Sequence, residues 1–366
     1  MPETKRIPVE KIYNLMVEVF TKLGVPNDEA KVCADVLIES DLRGIESHGV
    51  GRLKMYYDRI KAGIQFASTN IDVIKDFAAV AVWDGNHGMG HVISKLAMQS
   101  AIDKAKEFGI GCVTVRNSTH YGICGYYAKM ACEQNMVGIT MTNARPSIAP
   151  LFGVSPMLGT NPICFGAPSD KEYDFIYDAA TSISQRGKVE VYGRAEKPTP
   201  EGWAIDEEGK TYTDTKQLLI DLVDGKASMI GLGGMEEESG GHKGYSLAVM
   251  VEILSAALQA GSFMHQLHGW EDGKRVPYKL GHIFLAMDIE KFTDIDDFKR
   301  ITGEIMVQLQ NSKKRPDKDR IWIAGEKEHY TEMEIREKGI VVNPGLQKNL
   351  VTMINELNLD NYNNLF

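Results

Sequence analysis

Between residues 79 and 142 the chain alternates between short apolar runs and stretches with helical spacing. Residues 79–83, 110–115 and 137–142 read as buried strands, and residues 92–108 and 126–134 as helices. Strand–helix–strand order of this kind admits few solutions. It demands an α/β layer architecture, with the sheet in the middle and helices covering it. Further strands are expected at 163–167, 175–177 and 283–289.

What precedes this unit is different. Residues 9–23 place Ile12, Leu15, Met16, Val19 and Leu23 on one helical face, stopped by Gly24 and Pro26. A second helix is expected to start with Asn27 as its cap, and a third near Leu53, Tyr56, Tyr57 and Ile60. The elbow between those two carries Ser47, His48 and Arg52. Residues 184–215 are charged and turn-rich, with a solvent-exposed hairpin expected over 203–213. A long helix starts near Gly244, another covers 296–309, and two short helices follow Met333. The expected division is a helical part, 1–76; an α/β domain, 77–292; and a helical C-terminal part, 293–366.

Composition excludes several function classes. The formal net charge is −9, and no basic run suits nucleic acid. The five cysteines are odd in number, contain no CxxC pair and sit mostly in apolar patterns, which fits reduced thiols. The first residues have no apolar core of a signal peptide, and no stretch approaches 18 uninterrupted apolar residues. A cytoplasmic protein with no membrane association is the expectation.

The chemistry concentrates in polar turns. Asn117-Ser118-Thr119-His120-Tyr121-Gly122 joins a strand to a helix, and a histidine held on such a turn exchanges a proton near neutral pH. The plainer reading is a hydrogen-bonded loop residue. Ser47-His48-x-x-x-Arg52 offers a hydroxyl, an imidazole and a guanidinium fork suited to a carboxylate; in the plainer reading Arg52 caps a carbonyl or pairs with Asp58 or Glu46 on the surface. Gly159-Thr160-Asn161-Pro162 supplies donors and one flexible residue. Asp178-Ala179-Ala180-Thr181-Ser182 offers hydroxyls to a phosphate or ribose. His242-Lys243 opens a long helix, whose amides and dipole favour an anion. For each of these a satisfied turn or solvated hinge is the plainer alternative. Gly85, Gly88 and Gly90 do not have G-x-G-x-x-G spacing, so any nicotinamide site is not the usual Rossmann loop. His87 and His91 lack the setting of a metal pair, and no metal is expected.

Taken in order, SHGVGR at 47–52, NSTHYG at 117–122, TN at 142–143, LGTNP at 158–162, DAATS at 178–182, GGHKGYSLA at 240–248 and GHIFLAMD at 281–288 resemble the second-type malate/L-lactate dehydrogenase family. The resemblance spans roughly residues 10 to 345. It implies a non-Rossmann α/β (α+β) fold in which the middle domain, 77–292, is a mixed-sheet cofactor-binding domain and the two helical parts pack together. It also implies an NAD(P)-dependent oxidoreductase acting on a small 2-hydroxy acid, with malate/oxaloacetate and NAD favoured. It implies His120 as acid/base, with His48 as second candidate or cofactor contact, and Arg52 on the substrate carboxylate. Ser47, Asn143 and Thr160 would border the substrate. The cofactor would lie along His48, Gly159, Asn161, Pro162, Asp178, Ala180, Thr181, Ser182, His242, Lys243, Gly325 and Glu326. A homodimer is also implied. The alternatives are a reductase of another 2-oxo acid, a diketo sugar acid or a cyclic imine acid, and a non-catalytic ligand-binding protein with a degenerate site.

Overall fold

The computed structural model describes residues 3–365. Its centre is a seven-stranded mixed sheet made of β1 (Asp72–Phe77), β2 (Val80–Asp84), β3 (Ile110–Ser118), β4 (Met136–Thr142), β5 (Ile163–Ala167), β6 (Phe175–Ala179) and β7 (Leu280–Asp288). The spatial order is β1-β2-β3-β7-β4-β5-β6. Only the β2–β3 pair is parallel; every other neighbouring pair in this sheet runs antiparallel. The late strand β7 lies between β3 and β4, with Phe284 opposite Val113 on one side and Thr140 on the other.

The crossover from β2 to β3 is α4 (Gly90–Phe108), and α5 (Gly125–Cys132) follows β3. Both helices press small faces on the sheet. Ala97, Ala101 and Ala105 of α4 and Ala128 and Ala131 of α5 are buried with Val113, Val115 and Phe284. The strands answer with glycine: a Cβ at Gly111 would lie 1.9 Å from the Ala101 carbonyl oxygen, and one at Gly138 2.7 Å from that of Ala128. On the other face α8 (Gly241–Ala256) sits as closely, since a Cβ at Gly281 would lie 1.7 Å from the Ser255 oxygen. Alternation along β7 keeps the two helical layers apart.

The helices at both ends of the chain share one core. Ile12, Leu15, Met16, Val19 and Phe20 of α1 (Val9–Lys22) and Ala30, Cys33 and Leu37 of α2 (Asn27–Leu42) are buried with Leu53 and Tyr56 of α3 (Leu53–Lys61) and with Leu350, Met353 and Ile354 near the C-terminus. The short strand Lys5–Ile7 pairs antiparallel with Ile340–Val342 and ties the two ends together.

Several local expectations change. Asn27 is the first residue of α2, and Pro26 stands at the cap position with no side-chain bond. Strand β1 was not expected, because its six residues are exposed and its pattern lacks an apolar face. It begins at Asp72, inside the segment assigned to the helical part. Asn117 and Ser118 end β3 instead of starting the turn, with Asn117 at φ 51°. The turn-rich segment contains a helix, α6 (Arg186–Arg194), followed by α7 (Thr215–Asp224). The hairpin forms, with the Tyr212 amide donating to the Ala204 carbonyl, but Ala204 and Ile205 are buried because the short strand Ala204–Asp206 also pairs with Ala227–Met229. After α9 (Ile295–Gln310), the C-terminal helices α10 (Glu326–Lys338) and α11 (Pro344–Leu357) are longer than foreseen, and α10 begins before Met333. All five cysteines are unpaired. Among the described residues no helix is long and apolar enough to cross a membrane.

Candidate active site

His120 is held by a loop clamped from two sides. The Thr119 hydroxyl donates to the Gly88 carbonyl at 2.8 Å and accepts from the Gly90 amide at 2.9 Å. A Cβ at Gly90 would lie 2.3 Å from the Thr119 oxygen and 2.5 Å from the His120 oxygen. The glycine loop therefore exists to let two backbones meet, not to cradle a phosphate. Below it, Asp84 takes hydrogen bonds from the Arg116 Nε at 2.9 Å and the Asn117 Nδ2 at 2.8 Å.

The His120 ring meets residues from the helical part. Its Nδ1 is 2.5 Å from the Tyr56 Oη, and its ring lies 5.5 Å from that of His48, stacked at 21°. His48 Nδ1 is 2.9 Å from the Ser47 Oγ, and the Arg52 Nε donates to the Ser47 carbonyl at 2.5 Å. The elbow that presents these groups is anchored by Asp41 of α2, whose carboxyl accepts the Val50 amide at 2.7 Å. Residues 72 positions apart in the chain thus form one constellation. Of the plainer alternatives for Arg52 the carbonyl bond forms, through its Nε to Ser47, whereas neither Glu46 nor Asp58 pairs with it among the described residues, Asp58 being held by Lys54. A cavity of about 180 Å³ opens beside Arg52, bordered by Ser47, Gly187 and Asn343.

The electrostatics favour neutral imidazoles. Burial, helped by Arg52, lowers His48 to about 4. Burial also holds His120 well below the usual histidine range, with His48, Arg59, Arg52 and His91 adding to the effect. Asp41 is raised to about 8, mainly by burial.

A second cavity, of about 290 Å³, is lined by Arg43, Ile123, Gly125, Asp178, Gly325 and Lys327 among others. It adjoins the His120 loop through Ile123 and Gly125. Asp178 lies in β6, not after it, and accepts the Gly125 amide at 2.7 Å; burial raises it to about 6. Gly325 has φ +93°, and a Cβ there would lie 2.6 Å from the Asp174 oxygen. The lining also includes Glu328, and Arg43 is ion-paired with Glu39, so Lys327 is its one cation without such a pairing among the described residues. The Asp178 carboxyl and the thin walls at Gly125 and Gly325 suit the hydroxyls of a ribose better than a diphosphate.

Other expected side chains are already engaged. Asn143, fully buried, donates to the Ser262 carbonyl at 3.1 Å and accepts the Gly281 amide at 2.8 Å. Asn161, also buried, donates to Ala248 and Glu252 and accepts the Ala144 amide. The Thr181 hydroxyl bonds the Thr160 and Asn161 carbonyls, and the Ser182 hydroxyl bonds that of Ser184. Glu326, fully buried, caps its own helix through the Ile323 amide and pairs with Arg320. For these five the satisfied-turn alternative describes the side chain, because each closes a backbone donor or acceptor that burial would otherwise strand. At Gly159 the close approach is made by the Ala144 carbonyl, 2.4 Å from where a Cβ would be. Thr160 bonds Thr181 through its carbonyl, and its side chain, Pro162 and Ala180 are half-buried. His242 and Lys243 are exposed at the start of α8 and line neither cavity described above.

Tyr56, Arg59, Arg145 and Arg43 were not foreseen. Tyr56 was legible only as an apolar position of α3. The missed signal is the spacing Arg52, Tyr56, Arg59, which puts all three on one helical stripe.

The family model described as Malate/L-lactate dehydrogenase matches residues 7–351. A malate dehydrogenase of Pyrococcus abyssi is 45% identical over 333 residues, covering 91% of this chain and 89% of the relative. A malate/(S)-sulfolactate dehydrogenase of Methanothermus fervidus is 36% identical, covering 97% of this chain and 98% of the relative. The crystal structure of malate dehydrogenase from Entamoeba histolytica superposes with a TM-score of 0.94 at 40% identity, covering 97% of this chain and 99% of that one. The chain belongs to the malate/L-lactate dehydrogenase family.

Proposed function

We propose that this 2-hydroxyacid dehydrogenase interconverts malate and oxaloacetate with a nicotinamide cofactor, NAD in preference to NADP. The single observation that carries the reading is the imidazole of His120, bonded to Tyr56 and stacked on His48 of the same elbow that presents an Arg52 guanidinium with no carboxylate partner among the described residues. A bound nicotinamide supplies the hydride acceptor or donor; Arg43, Asp178, Gly325 and Lys327 would hold its carrier.

The chain's own residues do the rest. Arg52 takes the C1 carboxylate in a planar fork and orients C2. His120 Nδ1 meets the Tyr56 hydroxyl and also accepts the Gly122 amide at 3.3 Å. For the Nε2 lone pair to take the C2 hydroxyl proton in oxidation, the ring carries its own proton on Nδ1, the Tyr56 oxygen accepts it and the Gly122 contact is released. In reduction the imidazolium returns that proton to the forming alkoxide. Burial keeps the neutral form ready at pH 7 and makes the protonated form a strong acid. His48, stacked on His120 and tied to Ser47, walls the site and excludes water. The division into a helical part and a sheet part places the acid/base on one and the guanidinium on the other. We also take the protein to be a cytoplasmic homodimer: Leu247, Met250 and Ile253 on α8 are more exposed than a free helix face favours.

The test is a panel of oxaloacetate, pyruvate, a diketo sugar acid and a cyclic imine acid, each with NADH and NADPH, followed by loss of reduced-nicotinamide absorbance. Oxaloacetate with NADH is expected to turn over fastest. Preference for the imine or sugar acid would replace the reading, and no turnover with any would leave the degenerate binding protein.

A further inference from the structure

Three arginines around the site lack a counter-ion. Arg52, Arg59 and Arg145 have no carboxylate within salt-bridge distance among the described residues; on the surface Arg300, Arg315 and Arg336 are paired, while Arg275 lies over the Trp270 ring instead. Arg52 caps the start of α3 and Arg59 lies in its last turn. Between them Tyr56 points its hydroxyl at His120. Positions i, i+4 and i+7 share a helical face, and seven residues span about 10 Å of axis. The two arginines therefore leave α3 about one turn to either side of the tyrosine that fixes the acid/base, and both act on the His120 imidazole electrostatically.

Arg59 is half-buried, and its guanidinium lies 4.4 Å from the centre of the Tyr278 ring. Tyr278 is itself held by its carbonyl, 2.9 Å from the His87 Nδ1. Burial lowers Arg59 from its ordinary value, and Arg145 and Arg52 push the same way, against Tyr278 and Tyr56. Like charges gathered in a partly desolvated place without an anion are costly, and the cost is recovered only when an anion arrives. One carboxylate on Arg52 leaves the Arg59 side unneutralised.

We propose that Arg59, with Arg145 at the exposed rim, is a second anion clamp, so that the site selects 2-hydroxy acids bearing a further carboxylate or sulfonate beyond C2. The inference rests on Arg52 holding the C1 carboxylate in the hydride-transfer reading above. Both anions present coplanar or tripodal oxygens that a guanidinium fork can meet with two hydrogen bonds. A substrate ending in a methyl group brings nothing to Arg59.

The test compares the protein with Arg59→Gln and Arg145→Gln, after circular dichroism and thermal melting confirm that each folds. With NADH or NADPH, kcat/KM is measured for oxaloacetate, sulfopyruvate and pyruvate. The ratio of either dianion to pyruvate is expected to fall about a hundredfold in Arg59→Gln, as for the loss of one partner of a desolvated charge pair, and less in Arg145→Gln. Arg59→Lys should restore part of it. Malonate and acetate binding, read by calorimetry without turnover, gives a second measure: the dianion advantage should shrink in Arg59→Gln. An unchanged ratio and an unchanged malonate advantage would overturn the clamp and leave Arg59 as a prop for Tyr278. If no keto acid is reduced, the hydride reading falls, and the malonate measurement still decides the clamp.

Discussion

His120 owes its role to position more than to type. A loop histidine alone is ambiguous; one whose Nδ1 is bonded to Tyr56 and whose ring is stacked on His48 has one nitrogen left for chemistry. His120→Ala is expected to lower kcat by about 10²–10⁴ with cofactor affinity, read by quenching of protein fluorescence, nearly intact. If His48→Ala gives that result and His120→Ala does not, the acid/base assignment moves to His48. At this scale the sequence picked out His120, His48 and Arg52, which the fold brings together. It did not show that the side chains of Asn143, Asn161, Thr181 and Ser182 bond buried backbone groups. Nothing in a single sequence tells a polar side chain facing a cavity from one closing a buried backbone group, since both favour the same residue types.

The elements were legible where hydrophobic period was strong, as in α1, α4 and β3–β5. They were not where tertiary contact replaces pattern. Strand β1 has no buried residue, and α6 is a short charged helix in a run that reads as turns. Yet α6 matters to the site. A Cβ at Gly187, in its first turn, would lie 3.0 Å from an Arg52 terminal nitrogen and 3.2 Å from the Ser47 Cβ. Helix α6 is the back wall of the carboxylate fork. Gly187→Ala should move the guanidinium more than the backbone, because the side-chain tip yields first. KM for the keto acid is then expected to rise about three- to tenfold with kcat less affected and the melting temperature little changed. Equal KM values in steady-state assays would show that α6 does not set the position of Arg52.

The whole molecule carries several buried imidazoles, and their sign is common. His48 is held at about 4, His91 and His282 at about 3, and His120 lower than usual, all chiefly by burial. In the unfolded chain each binds a proton below about 6.5, so between that pH and the folded values the unfolded state holds more protons. Stability should therefore rise with pH across this window and be lost as pH falls from 6.5 toward 4. Asp41 and Asp178, raised to about 8 and about 6, act in the opposite sense. Asp174 and Glu252 also oppose, while Glu39 and Asp84, lowered, reinforce. Glu39 and Asp84 titrate below this window, so between pH 7 and 5 four imidazoles stand against four raised carboxyls, of which only Asp41 and Asp178 are raised far, and the net slope stays positive. Urea midpoints at pH 7, 6 and 5 check this, and a midpoint that is flat or higher at pH 5 would contradict it. That the helices at both ends share a core was suggested by the sequence only through the family it resembles, because no periodicity reveals which distant face a helix will meet.

The pairing of Lys5–Ile7 with Ile340–Val342 has a consequence for biosynthesis. Arg6 bonds the Gly339 carbonyl across 333 residues, and Phe20 and Met16 wait for Leu350 and Met353. At about 5–20 residues per second, a ribosome takes roughly twenty seconds to a minute to deliver that partner. Throughout that interval the emerging amino-terminal helices must keep a greasy flank uncovered, so the sheet can close on the nascent chain well before the part that began first is able to finish.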